Sequence, residues 1–403
     1  MPNRITVMCV GPAGTVRGGI SSLIEKIHGR FPNNIRFRIV ATFSQYTGSD
    51  QPERKSRFVQ GFVFIRAFFR ILLAGILSRD TIFHVHLSMK GSTLRKGLVC
   101  VALRALRCPF IVHAHANEDS MFHGWVPQPL KRVLLWGMGG ADYFIALTRF
   151  WGDFHLRAIP ISADRLLLLP NPVVVPRFIP DRTRRQGLHF LFLGRIGERK
   201  GAFDIIHAFA AFPDEIRRRS RLTLAGDGDT DAARNLANHL GCLTETSVRG
   251  WVEQRETERM LADADAFLLP SRGEGMSMAL LEAMAWGLAV VTSGSGGADE
   301  FLLSNYNCLL VKPGDVPEIT GAMRALAGDT QLRLRLGKEA RKTVARFSID
   351  NYMTSLIRLY DELAKKRLAS SHFQKEVVAF GDAVRELHKK DEAQVNEFGR
   401  IHG

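Results

Sequence analysis

Two successive series of short apolar runs alternate with helical patterns along this chain, and that alternation restricts its fold more than any other feature. Runs at 5–10, 36–42, 81–86, 110–115 and 143–147 predict strands, with helices from about Ile20 and over 96–106 between them. The stretch 166–176, LLLLPNPVVVP, carries prolines at 170, 172 and 176 and reads as a short strand running into a stiff connector. A second series follows at 188–194, 222–226, 247–250, 266–270, 288–292 and 308–311. Parallel neighbours need a crossover, and the crossover helix packs back on the sheet, so both faces are covered and the strands read as continuous apolar runs. The expectation is an α/β chain of two Rossmann-like doubly wound domains facing a cleft, residues 1–172 and 173–345, with a C-terminal helical extension. Apolar positions 353, 356, 357, 360 and 363 predict an amphipathic helix within 346–368 that packs back on the first domain. In the tail 369–403, Phe373, Val377, Phe380, Val384 and Leu387 recur at 4-3-4-3 spacing, which suits either a self-association helix or a packed terminal one.

Charge separates the two halves. Of a net +15, residues 1–180 carry +14, with 23 Lys and Arg against 9 Asp and Glu. A basic half points to an anionic partner. No helix-turn-helix, zinc finger or aromatic RNA-binding motif is present, so nucleic acid is not expected as a partner. The five cysteines show no C-x-x-C spacing, which fits a reducing compartment. The N-terminus reads as a strand, without the build of a signal peptide. Basic residues 54–57 (RKSR) precede the apolar run 61–77, in which Arg66 and Arg70 share one helical face. Two central arginines argue against spanning a bilayer. The run suits an interfacial helix or one buried against the first sheet, and the basic charge favours membrane contact.

The residues that carry chemistry lie mostly in the second half. In DAFLLPSRGEGMSMALLEAMAWG, an apolar strand ends at Pro270, a loop holds Glu274, and a helix is expected from about Met276. Glu282 stands in that helix among apolar residues, where a carboxylate needs a partner; the vicinal hydroxyls of a ribose would supply one, and so would a buried arginine. The N–H groups of Gly275 and Met276 would present the helix's positive end to an anion. In GRIGERKG (194–201), Arg195 and Lys200 bracket a glycine turn between strand and helix, an arrangement suited to a diphosphate or, more plainly, a solvated basic loop. GPAGTVRGG (11–19) does not match G-x-G-x-x-G, but Gly18 and Gly19 would let the backbone come close to a ligand. His113 and His115 are spaced i, i+2, as are His84 and His86; each pair shares a strand face, but no third metal ligand is evident, so no metal site is expected.

Glu274 and Glu282, seven residues apart, resemble the E-x7-E motif of family 4 glycosyltransferases, which have the GT-B fold. The likeness extends to RGGI, LPNPV, GRIGERKG, LAGDGD, RGWVEQRE, LLPSRGEGMSMALLEAMAWG, GSGGADE and NCLLVKPGD, in the order such enzymes show. Ala298 and Ala116 replace a proline and a glycine frequent in the family. The resemblance implies a retaining, metal-independent hexosyltransferase that uses a GDP- or UDP-sugar and no cofactor. It implies that Arg195 and Lys200 hold the donor diphosphate, Glu282 the ribose, and Glu274 the transferred sugar. It places the backbone around Trp251 at the base, Gly18 and Gly19 at the phosphates, and His115 at the donor sugar. Asp263 and Asp265 match a D-x-D pattern that binds metal in another glycosyltransferase fold, but they sit at a helix end and the start of a buried strand. The acceptor implied is a lipid-linked glycan in cell-surface polysaccharide synthesis, received by the membrane-facing first domain while the second binds the nucleotide sugar, with the protein in the cytoplasm, peripherally bound to the inner face of the plasma membrane. A nucleotide-sugar epimerase on a similar frame and a non-catalytic membrane-bound scaffold remain as alternatives.

Overall fold

The structure is a computed structural model that describes residues 5–12, 18–43, 46–47, 53–54, 57–78, 81–88, 91–115, 126–183 and 187–365. These fall in two compact units, 5–171 with 350–365, and 172–349. The tail helix expected over 369–403, residues 13–17 of the first glycine loop, and residues 116–118 after His115 lie outside the described residues.

The first unit runs β1 (Ile5–Gly11), α1 (Gly19–Ile27), β2 (Ile35–Ala41), a short hairpin β3 (Tyr46–Thr47) and β4 (Glu53–Arg54), α2 (Arg57–Leu77), β5 (Thr81–Leu87), α3 (Gly91–Ala105), β6 (Phe110–Ala114), α4 (Gln128–Met138), β7 (Tyr143–Ala146), α5 (Arg149–Ala158) and β8 (Leu166–Leu168). Its six-stranded parallel sheet has the order β2-β1-β5-β6-β7-β8. Every residue of β5, β6 and β7 is buried, as expected of strands covered on both faces. One core gathers Val10, Phe83, Val85, Val99, Leu103, Phe110 and Val112 with Ala67 and Ile71 of α2.

Helix α2 has two apolar faces. One, through Ala67 and Ile71, enters that core, with Phe64, Phe68 and Ala74 packed at its margin. The other stays bare: Phe58 is 91% exposed, Phe62 67%, Phe69 65% and Ile76 61%. By length and composition alone α2 is apolar enough to cross a membrane. Its inner face is committed to the sheet, so spanning would strip the core of the first unit.

The second unit contains β9 (Leu188–Leu193), α6 (Ala202–Ala210), α7 (Asp214–Arg218), β10 (Ser220–Ala225), α8 (Thr230–His239), β11 (Thr246–Arg249), α9 (Gln254–Asp263), β12 (Ala266–Leu269), α10 (Met278–Ala285), β13 (Ala289–Thr292), β14 (Leu309–Leu310), α11 (Val316–Gly328) and α12 (Thr330–Ala345). Its sheet is again six-stranded and parallel, in the order β11-β10-β9-β12-β13-β14. The chain therefore winds outward in both directions from the neighbours β9 and β12. At such a switch point the loops leaving the two central strands diverge and open a binding crevice at the sheet's C-terminal edge.

The last helix, α13 (Ile349–Lys365), joins the first unit from residue 350. Its Tyr360 is fully buried, and the hydroxyl lies 2.6 Å from His84 Nδ1.

Candidate functional site

The loops that follow β9 and β12 are locked together. Gly201 has φ 74°, and a Cβ there would lie 2.5 Å from the Pro270 carbonyl oxygen, so a glycine is needed for conformation and for space. The Arg272 N–H donates to the Arg199 carbonyl at 2.9 Å, and the Ser271 hydroxyl to the same oxygen at 3.1 Å. The Arg272 guanidinium pairs with Asp204 at 2.8 Å and also bonds the Glu198 carbonyl. The loop after β10 closes on the same structure: the Ile196 N–H donates to the Asp227 carbonyl at 2.7 Å.

These constraints bring charge to one point. Lys200 forms an ion pair with Glu274, and both side chains are about 15% exposed. Glu274 also accepts from Ser271 Oγ at 2.9 Å and pairs with Arg199 at 3.2 Å. Burial pulls the Lys200 ammonium below its ordinary pKa; Glu274 opposes the shift and Arg199 adds to it. One carboxylate thus faces two cations, which suits the point to an anionic ligand.

Lys200 and Glu274, separated by 74 positions in sequence, meet directly. Arg195 points outward, 62% exposed, and pairs with Asp227 at 3.4 Å. Glu282 is half-buried within α10. Trp251 is 43% exposed in the segment between β11 and α9, two elements that the Arg249–Glu256 ion pair joins. The helix expected from Met276 begins instead at Met278. Ser277 is its N-cap and accepts from the Leu280 N–H, so Gly275 and Met276 belong to the loop, and Met276 is buried. Sequence reasoning missed Arg199 and Ser271. Arg199 lay in plain view inside GRIGERKG, but nothing local showed that it turns toward residue 274. Asp263 and Asp265 are structural: Asp263 pairs with Arg221, and Asp265 accepts the His189 N–H at 2.9 Å.

In the first unit, Gly18 caps α1 at φ 150° and Gly19 is its first residue. His115 follows β6. The parallel register of β5 and β6 sets His86 opposite His113 and joins the two histidine pairs. His84 stacks on His86 with centroids 4.3 Å apart, and His113 on His115 at 4.1 Å. Across the strands, His84 Nε2 lies 3.3 Å from His113 Nδ1, and His86 Nδ1 3.0 Å from His115 Nε2. One nitrogen from each of His84, His86 and His113 lies within 4.8 Å of the others. A tetrahedral metal needs lone pairs that converge on one point. Here the rings of each cross-strand pair are near-parallel and share one hydrogen bond each, so the geometry is a ladder, in which His86 Nε2 and His113 Nε2 stay buried without a partner among the described residues.

Burial holds His84 and His115 down at about 3, and His86 and His113 well below their ordinary value, so all four are neutral. The unfolded chain takes up these protons near pH 6.5 while the folded one refuses them, so stability falls as pH drops below 6.5. Each histidine contributes a slope of up to about 1.4 kcal/mol per pH unit. Thermal melts between pH 7 and 5 are expected to show a steep loss of Tm that lessens in His84→Gln; a flat profile would contradict the ladder.

Residues 181–343 match the family described as "Glycosyl transferases group 1". Over 279 residues the chain is 28% identical to a D-inositol 3-phosphate glycosyltransferase of Xylanimonas cellulosilytica, covering 64% of this chain and 66%, just under two thirds, of that protein. It is 26% identical over 354 residues to a GDP-mannose-dependent alpha-(1-6)-phosphatidylinositol monomannoside mannosyltransferase of Mycobacterium tuberculosis, covering 81% and 90%. Among solved structures, Alr3699/HepE of Anabaena in complex with UDP superposes with a TM-score of 0.68 at 15% identity, covering 89% of this chain and all of that one. Residues 181–343 are therefore a glycosyl transferases group 1 domain, and the chain has the two-domain GT-B fold.

Proposed function

We propose that the chain is a retaining hexosyltransferase that moves a sugar from a UDP- or GDP-sugar to a hydroxyl of a lipid-linked glycan, with neither metal nor cofactor. The observation that carries this reading is the buried Lys200–Glu274 pair, flanked by Arg199, at the switch point of a group 1 domain. A donor diphosphate brings two negative charges to cations that share one carboxylate, and it draws Lys200 away from Glu274. Arg195 adds charge from the outer side, Glu282 takes the ribose, and Trp251 with Gly275 and Met276 completes the nucleotide contacts. In the reaction the bond from the anomeric carbon to the phosphate oxygen breaks, and its electron pair leaves on the diphosphate. The acceptor oxygen bonds the same face of the sugar, and its proton passes to the departing phosphate. Lys200 and Arg195 stabilise that developing charge, and Glu274 faces the sugar. The names of the relatives, a glycosyltransferase and a mannosyltransferase, support transfer. A panel of labelled UDP- and GDP-sugars incubated in EDTA tests the reading: one of them should be consumed, and survival of all of them would refute it.

The acceptor reading rests on the bare face of α2. Phe58, Phe62, Ile65, Phe69, Leu73 and Ile76 follow one another at helical spacing and are all more than half exposed. An apolar stripe of that length, on the unit that carries the excess positive charge, fits an anionic bilayer surface. We place the protein in the cytoplasm, held peripherally on the inner face of the plasma membrane and acting in cell-surface polysaccharide synthesis. Phe62→Glu with Phe69→Glu is expected to abolish co-flotation with phosphatidylglycerol vesicles without lowering Tm, because neither side chain reaches the core. Unchanged flotation would refute the role of α2.

A further inference from the structure

Two cations at the C-terminal edge of the first sheet have no carboxylate partner among the described residues. Lys96, in the second turn of α3, is 3% exposed. Its ammonium donates to Ser92 Oγ at 2.9 Å, and no carboxylate contributes to its environment or to that of Arg95 among the described residues. Arg95 is half-buried. It folds back over the start of the helix, where a Cβ on Gly91 would lie 3.4 Å from one of its terminal nitrogens. Its guanidinium carbon lies 4.9 Å from the centroid of the Phe43 ring, and its Nε is buried with no hydrogen-bond partner.

A buried ammonium beside a guanidinium is an expensive arrangement. Burial, with Arg95 adding to it, brings Lys96 down to about 7. A stability argument does not explain it: a methionine would fill the same space without the desolvation cost. What offsets such a cost is an anion that arrives with the ligand. The surroundings suit a phosphoryl group, with two cations, a serine hydroxyl and the first turn of a fifteen-residue helix. Lys96 is also close enough to His86 and His115 to oppose their protonation.

We propose that Arg95 and Lys96 hold a phosphate or diphosphate group of the acceptor substrate. This rests on the transferase reading, since that reading assigns the acceptor to the first unit. The recognising chemistry is the same for a prenyl diphosphate carrier and for a soluble sugar phosphate.

The test uses the full chain and inorganic pyrophosphate as probe, read as a ligand-induced rise in Tm. Because pyrophosphate would also occupy the Lys200 loop, the comparison is made in a Lys200→Met background. There Lys96→Met, and separately Arg95→Met, should weaken pyrophosphate about tenfold or more, in line with loss of a charge-assisted hydrogen bond. Lys96→Met should also raise Tm in the absence of ligand, so poor folding cannot mimic the result. Undiminished pyrophosphate affinity in both variants overturns the proposal. Geranyl diphosphate and glucose 1-phosphate are then used as competitors. Displacement of pyrophosphate by the first alone names a lipid carrier, and by the second a soluble sugar phosphate. Displacement by neither overturns the assignment to the acceptor. A chain that consumes no nucleotide sugar but keeps Lys96-dependent pyrophosphate binding would refute the transferase reading and leave the anion site. A chain that consumes one, with pyrophosphate affinity indifferent to both substitutions, would refute only the anion site.

Discussion

Lys200→Ala is expected to slow sugar release from the nucleotide donor by about 10²–10³-fold, the usual loss when one group that stabilises a departing charge is removed. The fold should survive. Glu274 keeps Arg199 and the Ser271 hydroxyl as partners, so no carboxylate is left bare, and removal of the partly desolvated ammonium offsets part of the lost pairing. Tm should move by no more than a few degrees. Glu274→Ala is expected to cost more stability than Lys200→Ala, because it leaves the buried Lys200 ammonium beside Arg199 without its carboxylate. A rate within about threefold of the parent in Lys200→Ala would mean that the diphosphate is held elsewhere.

The second large effect is structural. Gly226 has φ 152°, and a Cβ there would stand 1.8 Å from the Gly194 carbonyl oxygen. That contact is backbone against backbone, so no side chain can rotate to relieve it. The Gly226 N–H also bonds the carbonyls of Arg249 and Gly250, which fixes it from the other side. Gly226→Ala must push apart the loops after β9 and β10, and a cost of about 3 kcal/mol or more is expected. In a unit of this size that lowers Tm by about 6–12 °C. Nucleotide affinity should fall in parallel, because the loop after β9 carries Arg195, Arg199 and Lys200. Gly250→Ala is the control: nothing lies within 4 Å of a Cβ at that position, and Tm should barely change. Equal melting of the two variants would show that the loops after β9 and β10 are not packed against each other.

Much of this architecture was legible in the residues because the strands are buried on both faces. The runs at 188–194 and 266–270 are apolar apart from His189, and they are the two central strands of the second sheet. Loops that end parallel strands lie at one sheet edge, so the meeting of Lys200 and Glu274 follows from topology. What stayed hidden depends on contacts between distant residues. The i, i+2 spacing told that His84 and His86 share a face, and likewise His113 and His115. Only the β5–β6 register, with His86 opposite His113, joins them into one ladder. The start of α10 was placed two residues early because Met276 is itself a good helix former, whereas the cap is made by the Ser277 hydroxyl. The two readings of the 61–77 run, buried or interfacial, excluded each other only on paper. The run has two apolar faces, with Arg66 and Arg70 exposed, and the fold uses one apolar face for the core and leaves the other bare. Lys96 reads in sequence as one more basic residue of a basic half, because burial without a carboxylate partner cannot be seen in composition.

The central claim is that an activated sugar is held by its diphosphate on the loops after β9 and β12. A crystal structure of the protein with the nucleoside diphosphate that raises its Tm most would test it directly. The claim predicts phosphate oxygens within about 3 Å of Lys200 Nζ, with the ribose hydroxyls on Glu282. A nucleotide bound away from both residues, with Lys200 still paired to Glu274, would contradict it.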